Sequence, residues 1–273
     1  MNKLVVSFVM LVCNIWGYGI TECHAKSTVV TSPDGAVTVT VGVKGHKPYY
    51  MVSYQDRVLV TPSRLGFLLD NGELGANTKM VTVNRSTKDE TWTQPWGECE
   101  TTRNNYNELT VNFREHTGRT MQVVFRVFND GFGFRYILPD FLKGKAFQVQ
   151  DELTEITLAH DAKAWSIPSN HTEYFEGIYT SDLLSRKDTV CTPLTIEYEK
   201  DLFLSIHEAA LEDYASMNLT PRNGEGGNVR LLTALTPWQN GVKVYAQGEM
   251  KSPWRTMVIS KTAGGLLTSN LML

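Results

Sequence analysis

Long apolar runs are missing from this chain of 273 residues: past the amino-terminal segment nothing approaches the roughly 20 residues that a membrane-spanning helix needs. A basic surplus is missing too. With 26 Lys and Arg against 29 Asp and Glu the formal net charge is −3, which gives no electrostatic case for nucleic acid or an anionic membrane as partner. Cysteine is scarce, at four, and two of these, Cys13 and Cys23, fall in the segment read below as a leader. The remaining Cys99 and Cys191 lie far apart, each beside a strand-like run. An oxidising compartment permits them to pair, and two free buried thiols fit as well. No Cys-x-x-Cys or histidine-rich spacing suggests zinc. Gly-x-Ser-x-Gly, reactive-cysteine and phosphate-loop signatures are absent. Acids are plentiful, but none form a pair whose spacing implies the separation of about 5 Å or roughly 6.5–9.5 Å that glycoside hydrolysis requires. No residue is therefore assigned a catalytic role.

What is present begins with a leader. Lys3 precedes an apolar run from Leu4 to Cys13, and a more polar stretch ends in Cys23-His24-Ala25, with small residues at −3 and −1 of a cut before Lys26. Val12 before Cys13 and Glu22 before Cys23 are not the small residues that lipidation requires. The expectation is a signal peptide over 1–25, cleaved near Ala25, and a secreted or periplasmic domain over 26–273. At 42% hydrophobic residues the chain has ample material for one large core.

Short β-branched and aromatic runs separated by turn residues recur throughout. They are Val37–Val43, Tyr49–Tyr54, Arg57–Thr61, Leu65–Leu69, Leu109–Arg114, Met121–Phe128 and Phe134–Leu138, then Thr195–Tyr198, Leu202–Ile206, Val229–Leu235, Val242–Gln247 and Thr256–Ser260. In Val37-Thr38-Val39-Thr40-Val41 every second side chain can face a core. This spacing predicts an all-β, antiparallel sandwich. Ser32-Pro33-Asp34-Gly35 presets a tight turn, and Asn129-Asp130-Gly131 a short hairpin. Helical periodicity is nearly absent. His207–Leu219 could line a helix face through Ala209, Ala210, Leu211 and Tyr214, but it continues the strand Leu202–Ile206. Asn223–Gly227 reads as an exposed loop and Leu266–Leu273 as a final strand.

Polar-aromatic signatures punctuate this pattern: Trp96-Gly97-Glu98, Arg103–Glu108, Phe128–Tyr136, Ser205–Leu211 and Pro253-Trp254-Arg255. Together they resemble the amino-terminal domain of glycoside hydrolase family 97, a family of calcium-dependent α-glucosidases and α-galactosidases. The resemblance runs from about Ser32 to the last residue, where that family's catalytic barrel would begin. It implies a large super-sandwich of the galactose-mutarotase-like kind, and favours a strand running into an irregular loop over His207–Leu219. Such a domain packs on the barrel, shapes one wall of a pocket for α-linked oligosaccharide, and lends one ligand to a shared calcium. It is expected to be inactive alone.

The resemblance also points to particular residues. Trp165–Tyr179 is similar to the family stretch in which Trp, Ile and Pro precede a loop carrying the calcium-binding glutamate. Glu176 fits that position first and Glu173 second, while the residues alone, without the resemblance, read as solvated loop acids. One carboxylate cannot suffice, because calcium takes about six to eight oxygens. His207 and Glu208 could hydrogen-bond sugar hydroxyls, or simply sit satisfied at a sheet margin. Trp96 and Glu98 suit sugar stacking and hydrogen bonding, whereas Arg103 and Glu108 read as structural partners, with Arg103 bidentate on a carboxylate. Phe128–Tyr136 and Pro253–Arg255 read as packing motifs. Two other readings stand beside the accessory one: a free-standing carbohydrate-binding protein with a cleft of Trp96, Glu98 and His207, and a domain that docks another polypeptide through exposed apolar surface.

Overall fold

The alternation in Val37-Thr38-Val39-Thr40-Val41 is expressed literally, with all three valines fully buried. The structure, a computed structural model, describes residues 27–97, 99–140, 142–169 and 177–271. The expected leader over 1–25 and the candidates Glu98, Glu173 and Glu176 lie outside the described residues.

In chain order the first strands form a meander: β1 (Ser27–Thr31), β2 (Val37–Lys44), β3 (Lys47–Tyr54) and β4 (Arg57–Arg64). The turn between β1 and β2 is the expected one, closed by Gly35 N–H on Ser32 O at 2.9 Å with Gly35 at φ 76°. Short β5 (Phe67–Leu69) and β6 (Gly72–Leu74) precede a long ribbon of β7 (Thr78–Thr93) and β8 (Thr101–Glu115). Next come β9 (Thr120–Phe128) and β10 (Gly131–Leu138), joined through Asn129-Asp130 with Phe128 opposite Gly131. The middle of the chain holds β11 (Ala146–Glu152), β12 (Glu155–Leu158), β13 (Lys163–Ser166), β14 (Thr180–Leu183), β15 (Val190–Cys191), β16 (Leu194–Glu199) and β17 (Leu202–Ala209). The last elements are β18 (Met217–Asn223), β19 (Val229–Leu235), β20 (Val244–Gln247), β21 (Met250–Lys251), β22 (Trp254–Ser260) and the helix α1 (Ala263–Leu267).

These strands make three antiparallel sheets. Eight run in the order β1-β2-β3-β4-β12-β19-β18-β15. Ten belong to the second sheet, β14-β13-β16-β17-β22-β10-β9-β8-β7 with β21 also on β10, and four to a small one, β20-β11-β5-β6. The core lies between the two large sheets. There the buried Tyr50 ring sits 5.0 Å from Phe134 and 6.0 Å from Phe125, and its hydroxyl donates to Glu155 O at 2.9 Å. Phe132, Phe134 and Tyr136 supply alternate inward positions of β10, and Tyr136 meets Phe67 of the small sheet edge-on at 4.6 Å. The expected large antiparallel β-sandwich is what forms.

Three local outcomes differ from the sequence reading. The expected final strand at Leu266–Leu273 does not form over its described part: Leu266 and Leu267 end the short helix α1, capped by Thr262 Oγ1 accepting from Gly265 N–H at 3.1 Å, and Thr268–Leu271 lie in no strand. Both edges of β22 are already paired, with β10 and β17, so the chain that follows has no neighbouring edge to join. The ribbon strand β7 escaped the pattern because every residue from Asn84 to Thr93 is exposed, so no alternation marks it. Cross-strand polar pairs hold it, including Thr87 with Asn107 at 2.9 Å and Arg103 with Asp89. Finally, Cys99 and Cys191 are both free thiols, and Cys99 is exposed rather than buried.

Candidate functional site

Strand alternation separates the candidates on β17. His207 faces outward, half-buried, its Nδ1 3.1 Å from Thr192 Oγ1. Burial lowers the imidazole pKa below its ordinary value, with the Glu208 charge partly opposing. Glu208 points the other way, into the sandwich, where it accepts from Arg255 Nη1 at 2.6 Å and from Met217 N–H at 2.9 Å. The structure therefore does not bring this pair together on one surface. Glu208 belongs to a buried cluster in which Arg255 also grips Glu152 bidentately, at 3.0 and 2.7 Å. Thr154 and Tyr214 hydroxyls complete the Glu152 carboxylate, each at 2.8 Å. Burial raises the Glu152 pKa, but the Arg255 charge and these hydrogen bonds outweigh it and hold the group below its usual value.

The motif Pro253-Trp254-Arg255 thus divides by face. Arg255 closes the inner cluster, while Trp254 lies on the outer face of the ten-stranded sheet between two guanidinium groups, Arg126 at 4.7 Å and Arg135 at 4.6 Å from the ring. Arg126 is paired with Glu108 at 2.9 Å, the structural role expected for that acid. Arg135 is not paired in this way: among the described residues its Nε has no hydrogen-bond partner, and burial followed by the like charge of Arg126 lowers its pKa. Beside these groups opens a cavity of about 540 Å³ whose lining includes Trp92, Thr102, Asn104, Phe128 and Trp254. Sequence reasoning missed it, because its walls come from β7, β8, β9 and β22.

Trp96 does not share that cavity. It stands 82% exposed in the turn at the tip of the β7–β8 ribbon, a turn tied by Gln94 Nε2 donating to Cys99 O at 2.8 Å. Arg103 pairs bidentately with Asp89, at 2.8 and 2.7 Å, as its structural reading expected. A cleft uniting Trp96 with His207 is not seen among the described cavities.

A further surface flanks residues 170–176. Strands β13 and β14 pair from Lys163↔Leu183 to Ser166↔Thr180 at the outer edge of the ten-stranded sheet. On and beside this hairpin Trp165, Ile178, Tyr179 and Leu183 are all exposed, Ile178 to 86%. Four large apolar side chains gathered around one hairpin form a patch that water covers poorly. Among the described residues no group of three or more His, Cys, Asp or Glu is gathered to hold a metal ion.

The chain is similar to known proteins over most of its length. Similarity extends to the retaining alpha-galactosidase of Bacteroides thetaiotaomicron, 26% identical over 277 residues, covering 90% of this chain and 40% of that protein. A probable retaining alpha-galactosidase of Streptomyces bingchenggensis is 26% identical over 219 residues, covering 78% of this chain and 32% of its own length. The chain therefore spans well under half the length of these relatives. Among solved structures, a glycoside hydrolase family 97 enzyme of Pseudoalteromonas sp. strain K8 in complex with acarbose superposes with a TM-score of 0.84 at 34% identity, over 89% of this chain and 37% of that one. A beta-arabinopyranosidase shares the fold at TM-score 0.77 and 22% identity. The family model described as glycosyl-hydrolase 97 N-terminal matches residues 30–273, and the chain belongs to that family.

Proposed function

We propose that the chain serves as the accessory amino-terminal domain of a family 97 α-glycoside hydrolase, exported with removal of residues 1–25. In this reading it packs on a catalytic domain through the β13–β14 hairpin and forms one wall of a pocket for α-linked oligosaccharide. Within residues 170–176 one carboxylate, Glu176 before Glu173, is lent to a calcium ion held mainly by the catalytic domain. The observation that carries the proposal is the exposed apolar patch of Trp165, Ile178, Tyr179 and Leu183 on both flanks of that segment. A surface of this kind is the expected face of a domain contact.

The described residues do not fit a complete calcium site, since no three ligating side chains converge and calcium requires about six to eight oxygens. One such carboxylate supplies negative charge and a single ligand, so the isolated chain is expected to hold calcium weakly and to hydrolyse nothing. The test is an assay of the purified chain on nitrophenyl α-glucoside and α-galactoside with and without calcium, alongside 1-anilinonaphthalene-8-sulfonate fluorescence. No turnover, with dye binding that falls in the Trp165→Ser/Ile178→Ser variant, is the expected result. Calcium-dependent turnover by the chain alone would overturn the accessory reading, and dye binding unchanged by the substitutions would remove the hairpin as the contact face.

A further inference from the structure

Between β19 and β20 the chain makes a tight loop that holds one aromatic ring, Trp238, open to solvent beside a second, Tyr245, on β20. Trp238 N–H donates to Val242 O at 2.8 Å, and Gly241 N–H returns to Trp238 O at 2.8 Å. Gly241 takes a φ of 87°, which glycine adopts without strain. The result is an indole that is 63% exposed, set edge-to-face with Tyr245, itself 48% exposed, at 6.1 Å between centroids. Asn240 Nδ2 donates to the Tyr245 hydroxyl at 2.6 Å, which anchors the second ring.

These rings border a recess of about 460 Å³. Tyr214 lines it and is anchored through its hydroxyl on Glu152 at 2.8 Å, so this wall is tied to the buried ionic cluster. Ser216 and Thr236, their hydroxyls 2.8 Å apart, line another side together with Asp213 and Lys243. With the Tyr245 ring held by Asn240 and the Trp238 backbone fixed in its turn, the two rings give up little freedom when a ligand arrives. The recess volume lies within the range of about 300–1,000 Å³ typical of small-ligand sites. Its chemistry is specific: flat electron-rich rings beside hydroxyl, carboxylate and ammonium groups. A pyranose has the complementary surface, an apolar face of polarised C–H bonds for the rings and a girdle of hydroxyls that both donate and accept. Asp213 and Lys243 bring opposite charges, which favours a neutral sugar over a uronate.

We propose that the recess between Trp238 and Tyr245 is a binding site for a neutral oligosaccharide, with one pyranose ring stacked on Trp238. Neither Trp96 nor His207 takes part, and the site stands whether or not the β13–β14 hairpin docks a catalytic domain. The mixed polar groups around the recess favour a hydroxyl-rich ligand over an apolar protein face.

The test is calorimetric titration of the full chain with maltose and with melibiose, repeated on Trp238→Ala, Tyr245→Ser and Trp96→Ala. The expected result is saturable binding of at least one sugar, weakened about tenfold or more in Trp238→Ala, weakened also in Tyr245→Ser, and unchanged in Trp96→Ala. Should Trp238→Ala lose the cooperative melt of the parent, Tyr245→Ser and the ring-preserving Trp238→Phe decide: binding lost in the first and retained in the second supports the site. Absence of saturable binding to both sugars overturns the proposal. Binding by Trp238→Ala or Tyr245→Ser equal to that of the parent does the same.

Discussion

Replacing Arg255 with methionine removes the one cation that, among the described residues, pairs with the two buried carboxylates of the cluster. Side-chain exposure is 1% for Arg255, 0% for Glu152 and 7% for Glu208. With one positive and two negative charges, the native cluster carries an excess negative charge. Neutral donors compensate it: Thr154 and Tyr214 hydroxyls on Glu152, and Met217 N–H on Glu208. Without the guanidinium Glu152 keeps two donors and Glu208 one, with no countercharge. Breaking a buried pair in this way costs about 3–5 kcal/mol, because the surviving charge is left uncompensated. Against a typical domain stability of about 5–15 kcal/mol, a loss of that size is large but measurable. Urea denaturation at pH 7 should show a markedly lower midpoint for Arg255→Met with an unchanged slope. The sign of the pH effect follows from Glu152, whose folded pKa is depressed. Its contribution in the parent is present above the unfolded carboxylate value of about 4.3 and is lost as pH falls through the folded value. In the variant burial prevails and raises that pKa, so the orphaned Glu152 carboxylate accepts a proton readily and the gap between parent and variant narrows between pH 7 and about 4. A variant within about 1 kcal/mol of the parent at pH 7, or a gap indifferent to pH, would refute the reasoning.

Two further outcomes are open to direct measurement. Gly131→Ala should destabilise by at least the roughly 1–3 kcal/mol of an overpacked core, since an added Cβ would lie 2.1 Å from Met257 O at a residue with φ 149°; a melting temperature equal to that of the parent would contradict it. His207, whose pKa burial depresses, contributes stability that is intact above its unfolded value of about 6.5 and declines as pH falls below it. The parent should therefore lose stability between pH 7 and 5 more steeply than His207→Gln, and identical slopes for the two proteins would remove His207 as the source.

Much of the architecture was legible because it is written locally. The turn at Ser32–Gly35 and the Asn129-Asp130 hairpin need only their own residues, and β2, β3, β9 and β19 follow from runs whose alternation or β-branched content marks them. The ribbon strand β7 was illegible for the same reason: exposed on both faces through its outer half, it has no period for burial to impose. Strand β18 was obscured by Pro221, whose missing N–H is tolerated because the neighbour on one side, β15, is only two residues long. The family was legible through its dispersed polar-aromatic signatures, while the roles of individual residues were not. His207 and Glu208 looked like a pair until strand alternation set them on opposite faces.

By itself, then, the sequence determined an all-β antiparallel chain, most of its central strands, its tight turns and the family to which it belongs. These rest on side-chain periodicity and on φ preferences that nearest neighbours settle. Tertiary structure alone decided which charges meet. Arg255 finds Glu152 across 103 residues and Glu208 across 47. It likewise placed Trp254 between Arg126 and Arg135, set Trp238 and Tyr245 around one recess, and left a short helix after β22, both of whose edges were already paired. Each of these depends on how distant strands stack and in what register, and no local pattern carries that information.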